Sequence, residues 1–454
     1  MKRERKLFGT DGIRGVANTF PMTAEMAMKL GRALCTVLLK SQEHPRIIVG
    51  KDTRLSGYML ENALTSGITS MGGSAMLLGP LPTPAVAYLI RAMRAQGGVM
   101  ISASHNPYQD NGLKVFGADG FKLADDLEYE LERLMISEDE VTAVRPRADR
   151  LGRAKRIDDA QGRYLTHLKT LFSQDFDLAG KKIVFDGANG AAYEVGVKLF
   201  EEMGAEVTAI SCKPSGMNIN ADCAQSNPQL LSDAVLKTKS DIGIGVDGDA
   251  DRFLLVDETG ALISGEHTLY AMASFLQEMG RLSKNSVVTT IMSNQALEVA
   301  LEKKNIKTIR TQVGDRYVVA ALQKEGLILG GENSGHYLFL DQNTTADGLF
   351  SALEILALLH RKKWKASELR KGFSLFPQKL VTVKVREKIP IEKLPATSDA
   401  IQVLQKKYDG TGRINVRYSG TEVALRIMIE GPEQSKIELD LVQLAEVVRK
   451  EIGA

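Results

Sequence analysis

Val246-Asp247-Gly248-Asp249-Ala250-Asp251-Arg252 places three carboxylates at alternate positions, between apolar runs. Ile242 and Ile244 precede this segment and Phe253-Leu254-Leu255-Val256 follows it, so we expect Asp247, Asp249 and Asp251 in a tight loop between two strands. Like charges at this spacing repel by about 1 to 4 kcal/mol per pair, and a divalent cation removes that cost. Because carboxylate oxygens are hard ligands, the segment predicts a Mg²⁺ site.

A solvated acidic turn is the alternative for this loop. A calcium loop of the EF-hand type is disfavoured, because the segment lacks the glycine and the distal glutamate of that pattern. Arg252 is interpreted as neutralising the neighbouring charge.

A second segment, Ile101-Ser102-Ala103-Ser104-His105-Asn106-Pro107, follows an apolar strand predicted at 98–101. Ser104 therefore falls beyond the carboxyl end of a strand, where open α/β sheets bind their ligands. A serine before Asn-Pro is more often only a turn residue. A metal site elsewhere in the chain instead favours a hydroxyl that carries a phosphoryl group.

Composition is that of a soluble globular protein with about three or four domains. The 454 residues are 44% hydrophobic and 25% charged, and the formal net charge of +2 gives no reason to expect nucleic acid or an anionic membrane as a partner. The three cysteines Cys35, Cys212 and Cys223 have no metal-ligand spacing, and their odd number argues against a disulfide framework. We expect a cytoplasmic protein without a membrane-spanning segment.

Short apolar runs alternate with helical patterns, which is typical of α/β construction. A helix over 23–40 and a buried strand at 47–49 illustrate the pattern, and a strand, a glycine turn and a helix recur at 183 and at 286. The basic stretch 145–156 is interpreted as a linker.

The fold class we predict is α/β, with three related α/β domains of mixed sheets flanked by helices and a smaller C-terminal α+β domain. The expected domains are 1–150 with the serine loop, 151–256 with the metal loop, 257–370 with a sugar-binding loop, and 371–454 with a phosphate-binding loop.

Two further polar segments follow predicted strands. In Gly330-Gly331-Glu332-Asn333-Ser334-Gly335-His336, the Glu332 and Ser334 side chains could hydrogen-bond sugar hydroxyls and His336 could relay protons, although an ordinary polar turn is the alternative. Arg417-Tyr418-Ser419-Gly420-Thr421, with Arg426 on the next strand, has the composition of a phosphate cradle. Lys114 and Arg14 place cations near the serine loop.

These segments, in this order, resemble the α-D-phosphohexomutase superfamily, as do Phe8-Gly9-Thr10-Asp11-Gly12-Ile13-Arg14-Gly15 and Val313-Gly314-Asp315-Arg316-Tyr317-Val318. The resemblance covers nearly the whole chain and implies four domains around a central cleft. It implies that Ser104 is a phosphoserine that binds Mg²⁺ together with Asp247, Asp249 and Asp251. It further implies sugar contacts from Glu332, Ser334 and His336, phosphate contacts from Arg417, Ser419, Gly420 and Thr421, and catalytic roles for Arg14, His105 and Lys114. Val423 and Asn333 depart from the usual family residues, proline and glutamine.

The activity implied by this resemblance is an isomerase that interconverts glucosamine 6-phosphate and glucosamine 1-phosphate through a bisphosphorylated sugar. Such an enzyme feeds UDP-N-acetylglucosamine and cell-wall synthesis. The expected cofactors are one Mg²⁺ per subunit, the phosphoserine, and a hexosamine bisphosphate as intermediate and activator. The expected partners are the hexosamine monophosphate and a kinase or bisphosphate sugar that phosphorylates Ser104, while a homodimer is allowed but not required.

Three other functions stay open from the sequence. A phosphomannomutase or phosphoglucomutase would use the same mechanism on another hexose. A Mg²⁺-dependent phosphatase would use Asp247 as its nucleophile and release inorganic phosphate. A sugar-phosphate binding protein would bind without turnover, but it would have no use for three aspartates.

Overall fold

The computed structural model describes residues 6–38, 44–419 and 422–454. The chain forms two compact units, one of Met1–Ile291 with Ile309–Leu369 and the other of Met292–Thr308 with Arg370–Ala454. Within the described part of the chain, no helix has both the length and the apolar character needed to span a bilayer.

The first sheet is mixed and has seven strands. In spatial order they are Phe8–Gly9, Gly12–Val16, Asp110–Gly117, Gly97–Ile101, Arg46–Lys51, Ser74–Pro80 and Ala154–Arg156. Its helices are Ala24–Leu38, Ser56–Ser70, Thr83–Ala92, Asp125–Ile136 and Glu138–Ala143. Arg46–Lys51 lies between two parallel neighbours with its apolar residues buried, which explains why its sequence is a continuous apolar run. The strands predicted at 47–49 and 98–101 are confirmed, and the helix predicted over 23–40 is confirmed as Ala24–Leu38, with the last two predicted positions lying outside the described residues.

The linker prediction for 145–156 is wrong at its end. Ala154–Arg156 is the edge strand of the first sheet and pairs in parallel with Ser74–Pro80. All three of its residues are exposed, so the strand is held through its backbone and has no apolar pattern to detect. The preceding turn, Ala148–Arg150, is a short 3₁₀ helix.

The second and third sheets complete the α/β part of the larger unit. The second sheet has the order Leu262–Ile263, Phe253–Asp257, Ile242–Val246, Lys182–Asp186 and Glu206–Ile210, and the third has the order Lys307–Thr311, Ser286–Thr290, Leu329–Gly331 and Tyr337–Phe339. The accompanying helices are Ala160–Thr170, Val195–Glu202, Pro228–Thr238, Gly265–Glu278, Asp315–Glu325 and Gly348–Lys362. Both sheets are mixed, as predicted. In the second sheet, Phe253–Asp257 pairs antiparallel with Ile242–Val246, so the aspartate segment connects two neighbouring strands.

The smaller unit contains an antiparallel sheet of three strands. Ala424–Glu430 is central, between Gln378–Lys384 and Arg413–Tyr418. Its helices are Gln295–Glu302, Pro395–Lys407 and Gln434–Ile452. Alternate residues of the central strand, such as Leu425, Ile427 and Ile429, pack into a core against the last helix. The predicted α+β C-terminal region with its antiparallel sheet is therefore confirmed.

Two helices of the larger unit approach closely because glycine lies at their contact. A Cβ atom at Gly67 in Ser56–Ser70 would lie 2.2 Å from the carbonyl oxygen of Met28 in Ala24–Leu38. On the facing helix, a Cβ atom at Gly31 would lie 2.5 Å from the carbonyl oxygen of Leu64. Because both obstacles are backbone atoms, neither can move aside without shifting a helix.

We therefore expect Gly67→Ala to lower the stability of the protein by about 1 to 3 kcal/mol, the cost of overpacking a core. A thermal unfolding curve should show a lower midpoint than that of the unmodified protein. Gly162→Ala is the matched control, since a Cβ atom there would meet nothing within 4 Å and alanine favours the helix. Equal midpoints for the two variants would contradict the packing assigned to Gly67.

Candidate active site

The serine loop begins where the strand Gly97–Ile101 ends. Ser104 is almost fully buried, and its backbone has a φ of 54°, in the left-handed region that few serines adopt. Its amide donates to Ser102 Oγ at 2.9 Å, and the Ser102 hydroxyl donates to Asp52 Oδ2 at 2.6 Å. The strained position of Ser104 is therefore fixed by side chains on a neighbouring strand end.

The buried side chain of Arg54 hydrogen-bonds to the backbone of the same loop. The Arg54 guanidinium pairs with Asp52 at 2.8 Å and donates to the carbonyl oxygens of Ser104 and Asn106, each at 2.9 Å. Asn220 donates to the same two carbonyl oxygens, at 2.8 and 2.9 Å. A buried guanidinium is tolerated only when its donors are paired, so this arrangement makes the loop rigid. No local sequence pattern predicts a role for Arg54, Asp52 or Asn220.

The aspartate loop is buried and not a solvated turn. Asp247 and Asp249 are fully buried and Asp251 is nearly so, and one oxygen of each lies within 4.8 Å of the others. The loop meets the serine loop directly, because Ser104 Oγ donates to Asp247 Oδ2 at 2.6 Å. Gly248 permits the approach, since a Cβ atom there would lie 2.6 Å from the Ser104 carbonyl oxygen. The predicted loop between two strands is confirmed.

The donor set fits a divalent cation. Asp249 Oδ1 and Asp251 Oδ1 are buried and have no hydrogen-bond partner among the described residues. Burial, together with the charges of Asp251 and Asp249, raises the pKa of Asp247 to about 8. Three buried carboxylates, two of which have an unused oxygen, are suited to binding a hard metal ion, which would supply the missing positive charge.

Lys114 is drawn into this group of carboxylates. Its Nζ lies 2.8 Å from Asp249 Oδ2, 3.4 Å from Asp251 Oδ2 and 3.3 Å from Asp11 Oδ2. Burial acts to lower the pKa of Lys114, but Asp11, Asp249 and Asp251 raise it well above its usual value. Asp11 also forms ion pairs with Arg14 and Lys122. Sequence analysis quoted Asp11 only as part of a motif and gave no role to Lys122.

Two histidines border the loops. His105 Nδ1 lies 3.3 Å from Ser104 Oγ, and its pKa is lowered by burial and by Arg252 and Arg14. His336 Nε2 lies 3.6 Å from Asp251 Oδ2. Burial acts to lower the pKa of His336, but Asp251 and Asp315 raise it. The structure thus brings both predicted histidines to the group that contains Ser104.

The side chains of Arg14 and Arg252 make longer contacts with the serine and aspartate loops than Lys114 does. Arg14 Nη1 donates to the Ala103 carbonyl oxygen at 3.4 Å, which puts its guanidinium beside the serine loop. The backbone amide of Arg252 donates to Asp247 Oδ1 at 3.2 Å, while its side chain lies 4.0 Å from Asp251 Oδ1. Arg252 therefore interacts with the aspartates through a backbone hydrogen bond to Asp247 and through its side-chain charge near Asp251.

The segment from Glu332 to His336 is a closed turn that packs on the second sheet. The Glu332 amide donates to the His336 carbonyl oxygen at 2.9 Å, and Phe253 donates to the Gly335 carbonyl oxygen at 3.0 Å. Glu332 Oε1 accepts from the Gly314 amide at 3.0 Å, and its other oxygen lies 3.7 Å from His336 Nδ1. Ser334 is exposed at the tip. Glu332 and Ser334 thus lie on the turn whose histidine reaches Asp251.

The smaller unit carries the remaining predicted residues. Arg417 and Arg426 lie directly opposite each other on neighbouring strands. Such like-charged pairs repel, so an anion between them would be stabilising. Ser419 is buried, and Lys388, which sequence analysis missed, donates to its carbonyl oxygen at 2.7 Å. The predicted Gly420 and Thr421 lie outside the described residues.

Known proteins resemble the chain over its whole length. Four domain families of phosphoglucomutase/phosphomannomutase match the chain. They are α/β/α domain I at 5–142, domain II at 162–260, domain III at 264–376 and the C-terminal domain at 380–447. The phosphoglucosamine mutases of Citrifermentans bemidjiense and Geotalea daltonii are 49% and 50% identical over 449 residues, 99% of this chain and of each relative. The chain belongs to the phosphoglucosamine mutase family of α-D-phosphohexomutases. It is accordingly an enzyme of the isomerase class, and the resemblance drawn from its motifs is confirmed.

Solved structures share the phosphohexomutase fold. A phosphoglucomutase/phosphomannomutase family protein from Burkholderia thailandensis aligns with a TM-score of 0.78 at 22% identity, covering 98% of this chain and 97% of its own. The N-acetylphosphoglucosamine mutase of Aspergillus fumigatus, solved with GlcNAc-6P and magnesium, aligns with a TM-score of 0.62 at 20% identity, covering 99% and 96%. At these identities the likeness concerns the fold, and it confirms the predicted fold class.

If the three aspartates bind a cation, Asp249→Asn should weaken Mg²⁺ binding by at least about tenfold, because it removes a ligand charge. Calorimetric titration of the purified enzyme with Mg²⁺ alone measures the dissociation constant. Asp233→Asn, at an exposed position on a helix of the second sheet, is the control for an unspecific charge effect. Equal Mg²⁺ affinity in both variants would reject the site.

Proposed function

We propose that this phosphoglucosamine mutase family member interconverts glucosamine 6-phosphate and glucosamine 1-phosphate, with Ser104 as the phosphoryl carrier. One observation carries the proposal: the Ser104 hydroxyl lies 2.6 Å from Asp247 within a buried group of three carboxylates. The name of the relatives, which are about half identical over the full length, supports an amino sugar as the substrate.

Asp247, Asp249 and Asp251 would hold Mg²⁺ together with phosphorylated Ser104. Bound Mg²⁺ would neutralise negative charge on the phosphoryl group during its transfer. Residues of the chain hold the serine loop in the fixed position that phosphoryl transfer needs. Arg54 and Asn220 fix the backbone of the serine loop, so the phosphoryl oxygens start from one position.

In the first half-reaction, the bond between Ser104 Oγ and phosphorus breaks as a free sugar hydroxyl forms a new bond to that phosphorus. The hydroxyl proton would pass to His105, which lies 3.3 Å from Ser104 Oγ and whose lowered pKa favours the neutral ring. The freed Ser104 oxygen would take up a proton, and Lys114, which stays charged because its pKa is raised, is placed to donate one. Lys114 and Arg14 also balance charge around the transferred group. The product of this step is a bisphosphorylated sugar and an unphosphorylated serine.

In the second half-reaction the sugar presents its other phosphate to Ser104. The phosphate that the substrate brought passes to Ser104 Oγ, which loses its proton as its new bond to phosphorus forms. A proton is added to the freed sugar oxygen, and the isomeric monophosphate leaves with the phosphate that Ser104 first carried. Glu332, Ser334 and His336 would orient the sugar through its hydroxyls. Arg417, Ser419, Gly420 and Thr421 would bind the phosphate that is not being transferred, which keeps the intermediate from escaping.

A phosphatase that uses Asp247 as its nucleophile is less consistent with the geometry. Both oxygens of Asp247 are engaged, one by the Ser104 hydroxyl and the other by the Arg252 amide at 3.2 Å. A nucleophilic carboxylate needs one oxygen free to face the phosphorus, whereas a metal ligand at this position gains a free Oδ2 once Ser104 is phosphorylated and no longer donates to it. Mutases specific for glucose or mannose phosphate would use the same residues, so only the substrate distinguishes them.

The substrate assignment is tested by comparing glucosamine, glucose and mannose 6-phosphates as substrates of the purified, phosphorylated enzyme. We expect the highest kcat/KM for glucosamine 6-phosphate and no accumulation of inorganic phosphate. Ser104→Ala is the control that removes the carrier and should abolish turnover of all three sugars. A higher kcat/KM for glucose or mannose 6-phosphate would assign the chain to another branch, and normal turnover by Ser104→Ala would reject the mechanism.

Arg417→Ala should raise KM for the sugar monophosphate. Hydrogen bonds to charged groups contribute about 1.5 to 3 kcal/mol, which corresponds to a loss of affinity of roughly 10- to 150-fold. Arg449→Ala on the last helix is the matched control, because it removes an exposed arginine from the same unit. If KM in both variants equals that of the unmodified enzyme, the arginine does not bind phosphate.

A further inference from the structure

Thr83 contacts the aspartate loop through two hydrogen bonds to one residue. Its hydroxyl donates to Asp249 Oδ2 at 2.5 Å, and its amide donates to the Asp249 carbonyl oxygen at 3.0 Å. Thr83 is fully buried and is the first residue of the helix Thr83–Ala92. No sequence pattern marked it, because the contact spans 166 positions of the chain.

The two oxygens of the Asp249 carboxylate have different surroundings. Oδ2 accepts from the Thr83 hydroxyl and from Lys114 Nζ at 2.8 Å. Oδ1 is buried, and within the described residues it has no donor. A buried carboxylate oxygen without a partner is costly, and the cost disappears when a cation binds it.

We propose that Thr83 is a positioning residue for the metal site, which holds the Asp249 carboxylate so that Oδ1 faces the cation. The inference rests on the metal site proposed above and adds a residue outside the ligand set. Groups that hydrogen-bond to metal ligands fix the orientation of those ligands, and their loss commonly costs 10- to 100-fold in metal affinity.

Lys114 cannot fix this orientation by itself. Its ammonium group lies within 3.4 Å of three carboxylates, from Asp11, Asp249 and Asp251, and acts as a point charge on a flexible stem. The threonine differs in two respects. Its β-branched side chain has few rotamers, and its backbone is tied both to the helix and to the Asp249 carbonyl. Pro84 at the start of the same helix adds further rigidity.

The test compares variants that differ only in the hydroxyl group. Thr83→Val keeps the shape and removes the donor, while Thr83→Ser and Thr83→Ala share the same lost methyl group but only serine keeps the donor. Each purified full-length enzyme, with Ser104 unphosphorylated, is titrated calorimetrically with Mg²⁺ alone. We expect the Mg²⁺ dissociation constant to rise roughly 10- to 100-fold for Val and Ala and to stay within about threefold for Ser.

Two threonine-to-valine controls separate positioning from general destabilisation. Thr344→Val removes an equally buried hydrogen bond, from Thr344 Oγ1 to the Gly120 carbonyl oxygen at 2.8 Å, away from the aspartates. Thr65→Val removes a hydroxyl with no partner in the described chain. Both controls should bind Mg²⁺ as the unmodified enzyme does.

The outcomes are distinct. Unchanged Mg²⁺ affinity in Thr83→Val, or serine and alanine variants that are weakened equally, would overturn the role of Thr83. An equal loss in Thr344→Val would show a structural effect only and would also overturn it. If Thr83→Val does not fold, the serine and alanine pair decides alone. Failure of the unmodified enzyme to bind Mg²⁺ would instead reject the metal site and, with it, this part of the proposed function.

Discussion

Three carboxylates withdrawn from water and packed against a serine hydroxyl are the constraint around which the larger unit is organised. An ionised carboxylate in a buried position is stable only when hydrogen bonds or opposite charges replace its hydration. Asp247 accepts hydrogen bonds from the Ser104 hydroxyl and the Arg252 amide, and Asp249 accepts them from Lys114 and Thr83. Among the residues that the structure describes, Asp249 Oδ1 and Asp251 Oδ1 have no hydrogen-bond partner, and a bound cation would satisfy both.

The surrounding structure brings distant segments to this point. Strand ends from the first and second sheets and a turn of the third supply Ser104, the aspartates and His336, in agreement with the rule that α/β sheets bind ligands beyond their strand ends. Close backbone approach is essential there. Gly248 meets the Ser104 carbonyl, and a Cβ atom at Gly335 would lie 2.1 Å from the Phe253 carbonyl oxygen. A larger residue at position 248 would separate the Ser104 hydroxyl from the carboxylates, and one at position 335 would displace the turn that carries His336.

Much of this site could be predicted from local sequence. Apolar runs on both sides of the aspartates predicted the strands around them, and the alternate spacing of the carboxylates indicated the metal site. Local patterns failed where a residue acts only through distant contacts. Arg54, Thr83 and Asp11 look like ordinary turn or cap residues, and their roles appear only when the chain folds.

The same limit explains the one structural error. The strand Ala154–Arg156 carries only exposed side chains and pairs through its backbone, so its sequence resembles a linker. The roles proposed for Ser104, Glu332 and Arg417 all depend on the path of the phosphoryl group.

That path can be followed directly in a single turnover. The enzyme is prepared with isotopically labelled phosphate on Ser104 and mixed with less than one equivalent of unlabelled glucosamine 6-phosphate, and the label is located after quenching. The account predicts that the label passes to the sugar and is found at position 1 of the product, while Ser104 carries the phosphate that came from the substrate. Label that stays on the protein during turnover, or that appears as inorganic phosphate, would contradict it.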